Sequence, residues 1–250
     1  MPVNFNSATT VTKQYVPPPV KFVAQVEPVK EVTLHGSADF EFWQERLQSE
    51  QLQPVPKDGR AQVFVSATEA KFLGLTFREC IIGVHVTRVS DGVDIANSMF
   101  LLHAWNSLRA FAWIERNFFG TPYYPGQINV SPQSPASFQV SEQNSPSIDA
   151  AIGSSHHAPT SIDDEFWQGP IYLPRRKGGA QKLFIAKLAG KTEHFPFATR
   201  EDKCTLTPTD SCPVIGELLA SHFTPVAWHV RRAAAHAKSK TYRAADFFRN

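Results

Sequence analysis

Residues 77–103 read FRECIIGVHVTRVSDGVDIANSMFLLH, two apolar runs rich in β-branched residues, Phe77 to Val89 and Val93 to His103, split by Ser90-Asp91-Gly92. An Asp-Gly pair accepts the positive φ angles of a tight hairpin turn, so the two runs are predicted to pair antiparallel. Working outward, Val32 to Leu34, Ala61 to Ala67, Gln127 to Val130 and Lys182 to Leu188 read as further strands. Ser137 to Gln143 and Ser147 to Gly153 alternate and predict a second hairpin, turning at Asn144-Ser145-Pro146. Three helices are expected. The first covers 38–49, with Ser37 as N-cap and Phe40, Trp43 and Leu47 at helical spacing. The second covers 107–119, with Leu108, Phe111, Ala112, Glu115 and Phe119 on its turns, ending near Gly120. The third closes the chain within Val214 to Lys238, where Val226, Val230 and Ala233 oppose Arg231, Arg232 and Lys238. Residues 1 to about 30, with Pro17-Pro18-Pro19, read as an extended arm before a single domain over 31–250.

The 250 residues are 42% hydrophobic and 19% charged, which is globular composition. Aromatics at 12% and 19 prolines suit pleated surfaces punctuated by turns. Lysine plus arginine number 25 against 23 acidic residues, a net charge of +2, so no polyanion-binding footprint is present and no nucleic-acid partner is expected. The longest apolar stretches, such as Cys80 to Val86, are too short to cross a bilayer, and Met1 to Ser7 has no charged start before an apolar run. No membrane partner is expected. Three cysteines, Cys80, Cys204 and Cys212, form no disulfide framework and suit a reducing compartment; Cys204 and Cys212 leave one bridge open. The expected location is cytoplasmic.

The glycine-rich phosphate loop Gly-x-x-x-x-Gly-Lys-Ser/Thr, the Gly-x-Ser-x-Gly elbow and His-Glu-x-x-His do not occur in the sequence. His156 and His157 are adjacent and would point to opposite faces of an extended chain, so they read as an exposed loop rather than a metal site. His85 and His103, on predicted strands, read as hydrogen-bonded core residues. Arg175-Arg176-Lys177 before two glycines reads as a solvated turn. No metal site and no cofactor is expected. Arg78 and Glu79, opposite charges within an apolar strand, and Arg116, before the Pro-Tyr-Tyr-Pro loop, are more informative, because a charge buried without a partner costs several kcal/mol. Each is either paired structurally or held for a ligand.

The ordered series Phe72-Leu-Gly-Leu-Thr-Phe-Arg-Glu79, Asn97-Ser-Met-Phe-Leu-Leu-His-Ala-Trp105 and Ile114-Glu-Arg-Asn-Phe-Phe-Gly-Thr-Pro-Tyr-Tyr-Pro-Gly126 resembles the acetoacetate decarboxylase-like superfamily, and the likeness runs over roughly residues 30 to 235. The resemblance implies a mainly antiparallel β-cone or barrel with flanking helices, an internal pocket and a homo-oligomer. It places Phe77-Arg78-Glu79 on the family's Tyr-x-Glu, so Glu79 would face the pocket as acid or base. Arg116 falls on the arginine that precedes the family's lysine loop, and Pro122-Tyr123-Tyr124 on its Pro-Lys-Lys. There the first lysine forms an imine with the keto acid and the second lowers its pKa.

Both lysines are tyrosines in this chain, and a phenol cannot condense with a ketone. Tyr123 could still donate a hydrogen bond to an enolate or move a proton. Lys182 and Lys187, on a predicted strand, are candidates for the missing amine, although strand lysines usually face solvent. The reading is therefore an enzyme of lyase or isomerase type acting on a small keto acid or related carboxylate. Glu79 and Tyr123 would be catalytic, and Arg116, Tyr124 and Arg78 would bind substrate. The alternatives are a pocket protein without catalysis and a purely structural oligomer, in which Tyr123 and Tyr124 only pack.

Overall fold

The computed structural model describes residues 19–90, 93–94, 98–142, 145–153, 158–176, 179–209 and 212–248. Twelve strands and four helices organise it: β1 Phe22–Ala38, α1 Phe40–Gln48, β2 Arg60–Phe72, β3 Leu75–Thr87, β4 Ser98–Asn106, α2 Arg109–Ile114, β5 Tyr123–Pro125, β6 Gln127–Ser131, β7 Ser137–Glu142, β8 Ser145–Ala151, β9 Ser161–Leu173, β10 Lys182–Pro196, β11 Lys203–Leu206, α3 Pro213–Ala220, β12 Thr224–Ser239 and α4 Ala244–Phe247. Five further two-residue strands, among the described residues, add short ladders at the turns. Strands β3, β2, β1, β12, β10, β9 and β4 pair in that order, and β4 pairs back onto β3, closing a ring of seven. The ring is the β-barrel expected. Its ladders are antiparallel except β9 to β4, which is parallel, as is the ladder from β4 to β5. A closed ring leaves no free edge to recruit another chain.

Local chemistry explains most elements. Leu73 and Gly74, with φ of 48° and 84°, form the tight turn that joins β2 to β3, whose ends pair Phe72 with Leu75. Asp91-Gly92 lies outside the described residues, but the flanking pairs Val89 with Asp94 and Ser90 with Val93 are antiparallel. The cap of α1 is Asp39, whose Oδ1 accepts from the Phe42 amide at 2.8 Å, and not Ser37, which belongs to β1. The helix expected over 107–119 divides into α2 and a π turn, Glu115–Phe119, stopped by Gly120 at φ 73°. From Phe22 onward the segment read as an arm is the first half of β1.

The helix expected at the end of the chain is replaced by α3 and by β12. Residues 224–239 contain an alanine run with good helix propensity, but β1 and β10 present unpaired edges on either side, and pairing with both outweighs propensity. Strand β9 reaches back to Ser161, and its acidic first half carries no apolar alternation that would mark it as a strand.

One face of the ring carries the main core. Val32, Leu34, Val63, Val65, Ile82, Val84, Phe100, Leu183, Ile185, Trp228 and Val230 pack there beneath Trp43 and Leu47 of α1 and Ile215 and Leu218 of α3. The small antiparallel sheet β6-β7-β8-β11 covers the same face through Phe138, Val140, Ile148 and Ala150. Between the bulges, strand residues one position away point to the opposite face, the inside of the ring. The cysteines are free, with Cys80 and Cys212 buried. No helix among the described residues is long and apolar enough to cross a membrane.

Candidate functional site

Glu79 alternates with Cys80 of the outer core and so points into the ring. Register sets Glu79 beside Asn106 of β4, and β5 sets Tyr123 beside Ala104. The side chains meet accordingly: Tyr123 Oη donates to Glu79 Oε2 at 3.0 Å and Asn106 Nδ2 to Glu79 Oε1 at 2.8 Å. Lys238, on β12 across the ring, closes the group. Its ammonium pairs with Glu115 Oε2 and lies 4.6, 4.8 and 5.9 Å from the ring centroids of Phe184, Phe119 and Tyr123. Thr121 Oγ1 donates to the same Glu115 oxygen at 3.0 Å.

Burial pushes the Glu79 carboxyl up to about 7; Glu115 adds to the rise, while Lys238, Tyr123 and Asn106 hold it back. Near neutral pH this carboxyl can therefore both take up and release a proton. Burial and the neighbouring carboxylates raise the Tyr123 phenol well above its ordinary value, so it remains a hydrogen-bond donor.

The structure brings Glu79 and Tyr123 together and leaves Arg78, Arg116 and Tyr124 elsewhere. Arg78 is one residue from Glu79 and takes the opposite face, where its Nη2 meets Glu69 Oε2 at 2.7 Å. Tyr124 is turned away from Tyr123 by the same alternation; it stacks on His103 at 4.9 Å and is 40% exposed. Arg116 lies over the Tyr124 ring at 5.3 Å and does not reach Glu79. Of the lysines considered as replacement amines, Lys182 is exposed and Lys187 lies 5.4 Å from the Phe166 ring. Sequence reasoning missed Lys238, Glu115 and Asn106. Only a partial signal for Lys238 lay in His229-x-Arg231 and His236-x-Lys238, two period-two pairs of basic residues that change phase across the alanines at 233–235.

Other singled-out residues also find partners. Arg175 is not a solvated turn residue: it donates to Gln181, Gln51 and the Glu50 carbonyl. His103 is buried against Trp105 with no hydrogen-bond partner on Nε2. Arg231 is buried inside the ring and pairs with Glu31 and Glu165. His156 and His157 lie outside the described residues. A cavity of about 440 Å³ is lined by Lys240, Tyr242, Arg243 and Phe247, and one of about 170 Å³ by Gln133, Phe195 and Arg232. Neither touches Glu79.

No protein-family model matches the chain, and no curated protein matches it in sequence. Solved structures do. Acetoacetate decarboxylase from Legionella pneumophila superposes with a TM-score of 0.62 at 11% identity, covering 95% of this chain and 93% of that one. The enduracididine biosynthesis enzyme MppR, complexed with pyruvate, gives 0.58 at 13% identity, covering 92% and 91%. An acetoacetate decarboxylase-like enzyme from Sphingomonas wittichii gives 0.54 at 11% identity, covering 93% and 98%. With the closed seven-strand ring, these likenesses show that this chain has the acetoacetate decarboxylase-like fold.

Proposed function

We propose that the inside of the ring around Glu79 takes a small keto acid or related carboxylate, and that the chain moves a proton next to its carbonyl in a lyase- or isomerase-type step without an imine. The observation that carries this reading is a carboxyl near pKa 7 with a phenol on one oxygen and an amide on the other. Ionised Glu79 takes a proton from the carbon beside the carbonyl, and the electron pair moves onto the carbonyl oxygen. Tyr123 turns its O–H from Glu79 to that oxygen and stabilises the enolate. Return of the proton to a different carbon gives an isomerase; loss of a leaving group from the next carbon gives a lyase. Lys238, placed by Glu115, supplies the cation for the substrate carboxylate that Arg116 was expected to supply. The pyruvate bound to MppR belongs to the same ligand class.

The test is proton exchange at the methyl group of pyruvate in deuterium oxide, followed by NMR. Wild-type protein is expected to accelerate exchange, and Glu79→Gln to lose about 10² to 10⁴ of that acceleration. Exchange no faster than buffer defeats the catalytic reading. Borohydride reduction in the presence of pyruvate is expected to leave the protein mass unchanged, whereas an adduct on Lys238 would replace the enolate route with an imine. A binding protein without catalysis is favoured by one observation, that the 440 and 170 Å³ cavities lie away from Glu79. Keto-acid binding without exchange would support it.

A further inference from the structure

Inside the ring, apart from Glu79, a second group of chemistry-bearing side chains comes from three neighbouring strands: Glu165 on β9, His194 on β10 and His229 on β12. His194 and His229 are direct register partners, and their rings lie 4.3 Å apart. One donor atom from each of the three residues falls within 4.8 Å of the other two. We propose that Glu165, His194 and His229 bind one first-row divalent cation of the zinc class.

Two histidines and a carboxylate are a set that such ions prefer, and three protein ligands leave one position for water or another ligand. Tetrahedral bonds of about 2.0 to 2.1 Å to nitrogen and oxygen set ligand atoms roughly 3.3 to 3.4 Å apart. Glu165 Oε1 is 3.6 Å from His194 Nε2, so that edge closes with a small adjustment. His194 Nε2 is buried and makes no well-formed hydrogen bond; it only faces carboxylate oxygens, Asp163 Oδ2 at 3.4 Å and Glu165 Oε1 at 3.6 Å. The other Glu165 oxygen is already engaged, since Thr192 Oγ1 donates to Oε2 at 2.8 Å and Arg231 pairs with the same atom. This arrangement turns Oε1 toward the histidines, as outer partners do for metal-binding carboxylates.

Charge also fits. Glu31 and Glu165 both pair with the one guanidinium of Arg231, which leaves carboxylate charge in excess for a cation to offset. Asp163 Oδ2 lies 3.4 Å from His194 Nε2 and is mostly exposed, so the open position faces solvent on that side. His35, 4.2 Å from the His229 ring, packs against it from the other side.

The test uses full-length protein stripped with a chelator, dialysed, and titrated with zinc chloride by calorimetry and with cobalt chloride by visible spectroscopy. One ion per chain and cobalt bands of four-coordinate intensity are expected. His194→Ala, His229→Ala and Glu165→Gln are each expected to weaken binding by about 100-fold or more, while His222→Gln, on the exposed α3 to β12 connection, leaves it unchanged. Thermal unfolding of the stripped proteins separates loss of the site from loss of the fold: zinc should raise the Tm of wild type and of His222→Gln only. Wild-type protein that takes up no stoichiometric ion, or folded ligand variants that bind as tightly as wild type, would overturn the proposal.

Discussion

At the residue scale the proposed chemistry turns on Glu79, and its neighbours predict how it titrates. Tyr123→Phe removes a donor to the carboxylate and is expected to raise its pKa above about 7, whereas Glu115→Gln removes a like charge and is expected to lower it. Carbon-13 NMR of the labelled carboxyl measures both shifts. The raised pKa also fixes the stability contribution: it is complete below pH 4.5, the ordinary value, and is lost as pH rises through about 7. Glu31 has the opposite sign. Burial alone would raise it, but Arg231 and His236 hold it well below the usual carboxylate range. Its contribution is therefore present above that range and is lost as pH falls below it. Glu31→Gln leaves the buried Arg231 with one carboxylate, Glu165, beside its hydrogen bond to Thr192, and is expected to cost about 3–5 kcal/mol in urea unfolding at neutral pH.

At the scale of elements, α1 and β12 make contrasting cases. Helix α1 follows from its own residues: a capping aspartate, then Trp43 and Leu47 one turn apart and fully buried. Trp43→Ala is expected to cost about 3–5 kcal/mol, and Asp39→Ala about 0.5–2 kcal/mol, both read from unfolding midpoints. Strand β12 follows from its neighbours. Its alternation puts Trp228 and Val230 in the outer core and Arg231 inside the ring, but the alanines at 233–235 carry no such signal. Because β1 and β10 hold it on both sides, its central amides are expected to exchange with deuterium among the slowest in the chain. Rapid exchange there would contradict the ring closure.

For the whole molecule, the ring is closed but its surface is not uniformly polar. Trp113 and Phe118, 54% and 70% exposed, meet edge to face at 5.6 Å beside α2. Apolar area of this kind commonly marks contact with another protein. A homo-oligomer is the expected state, and light scattering should give a particle heavier than one chain. A mass matching one chain at micromolar concentration would count against this. If the contact runs through this aromatic pair, Trp113→Glu with Phe118→Glu should reduce the particle mass without lowering the Tm.

Much of the ring was legible because its signals are local: the β-branched alternation of 77–89, the tight turns, and the apolar spacing of α1 each act over a few residues. The pairing of Glu79 with Tyr123 came from the superfamily resemblance, and one-residue alternation then separated Arg78 and Tyr124 from them. Three things were decided only by tertiary structure. They are the strand state of 224–239, the approach of Lys238 to Glu115, and the gathering of Glu165, His194 and His229. Each depends on which strands become neighbours when the ring closes. Hydrogen bonding between segments far apart in sequence sets that register, and no local propensity encodes it.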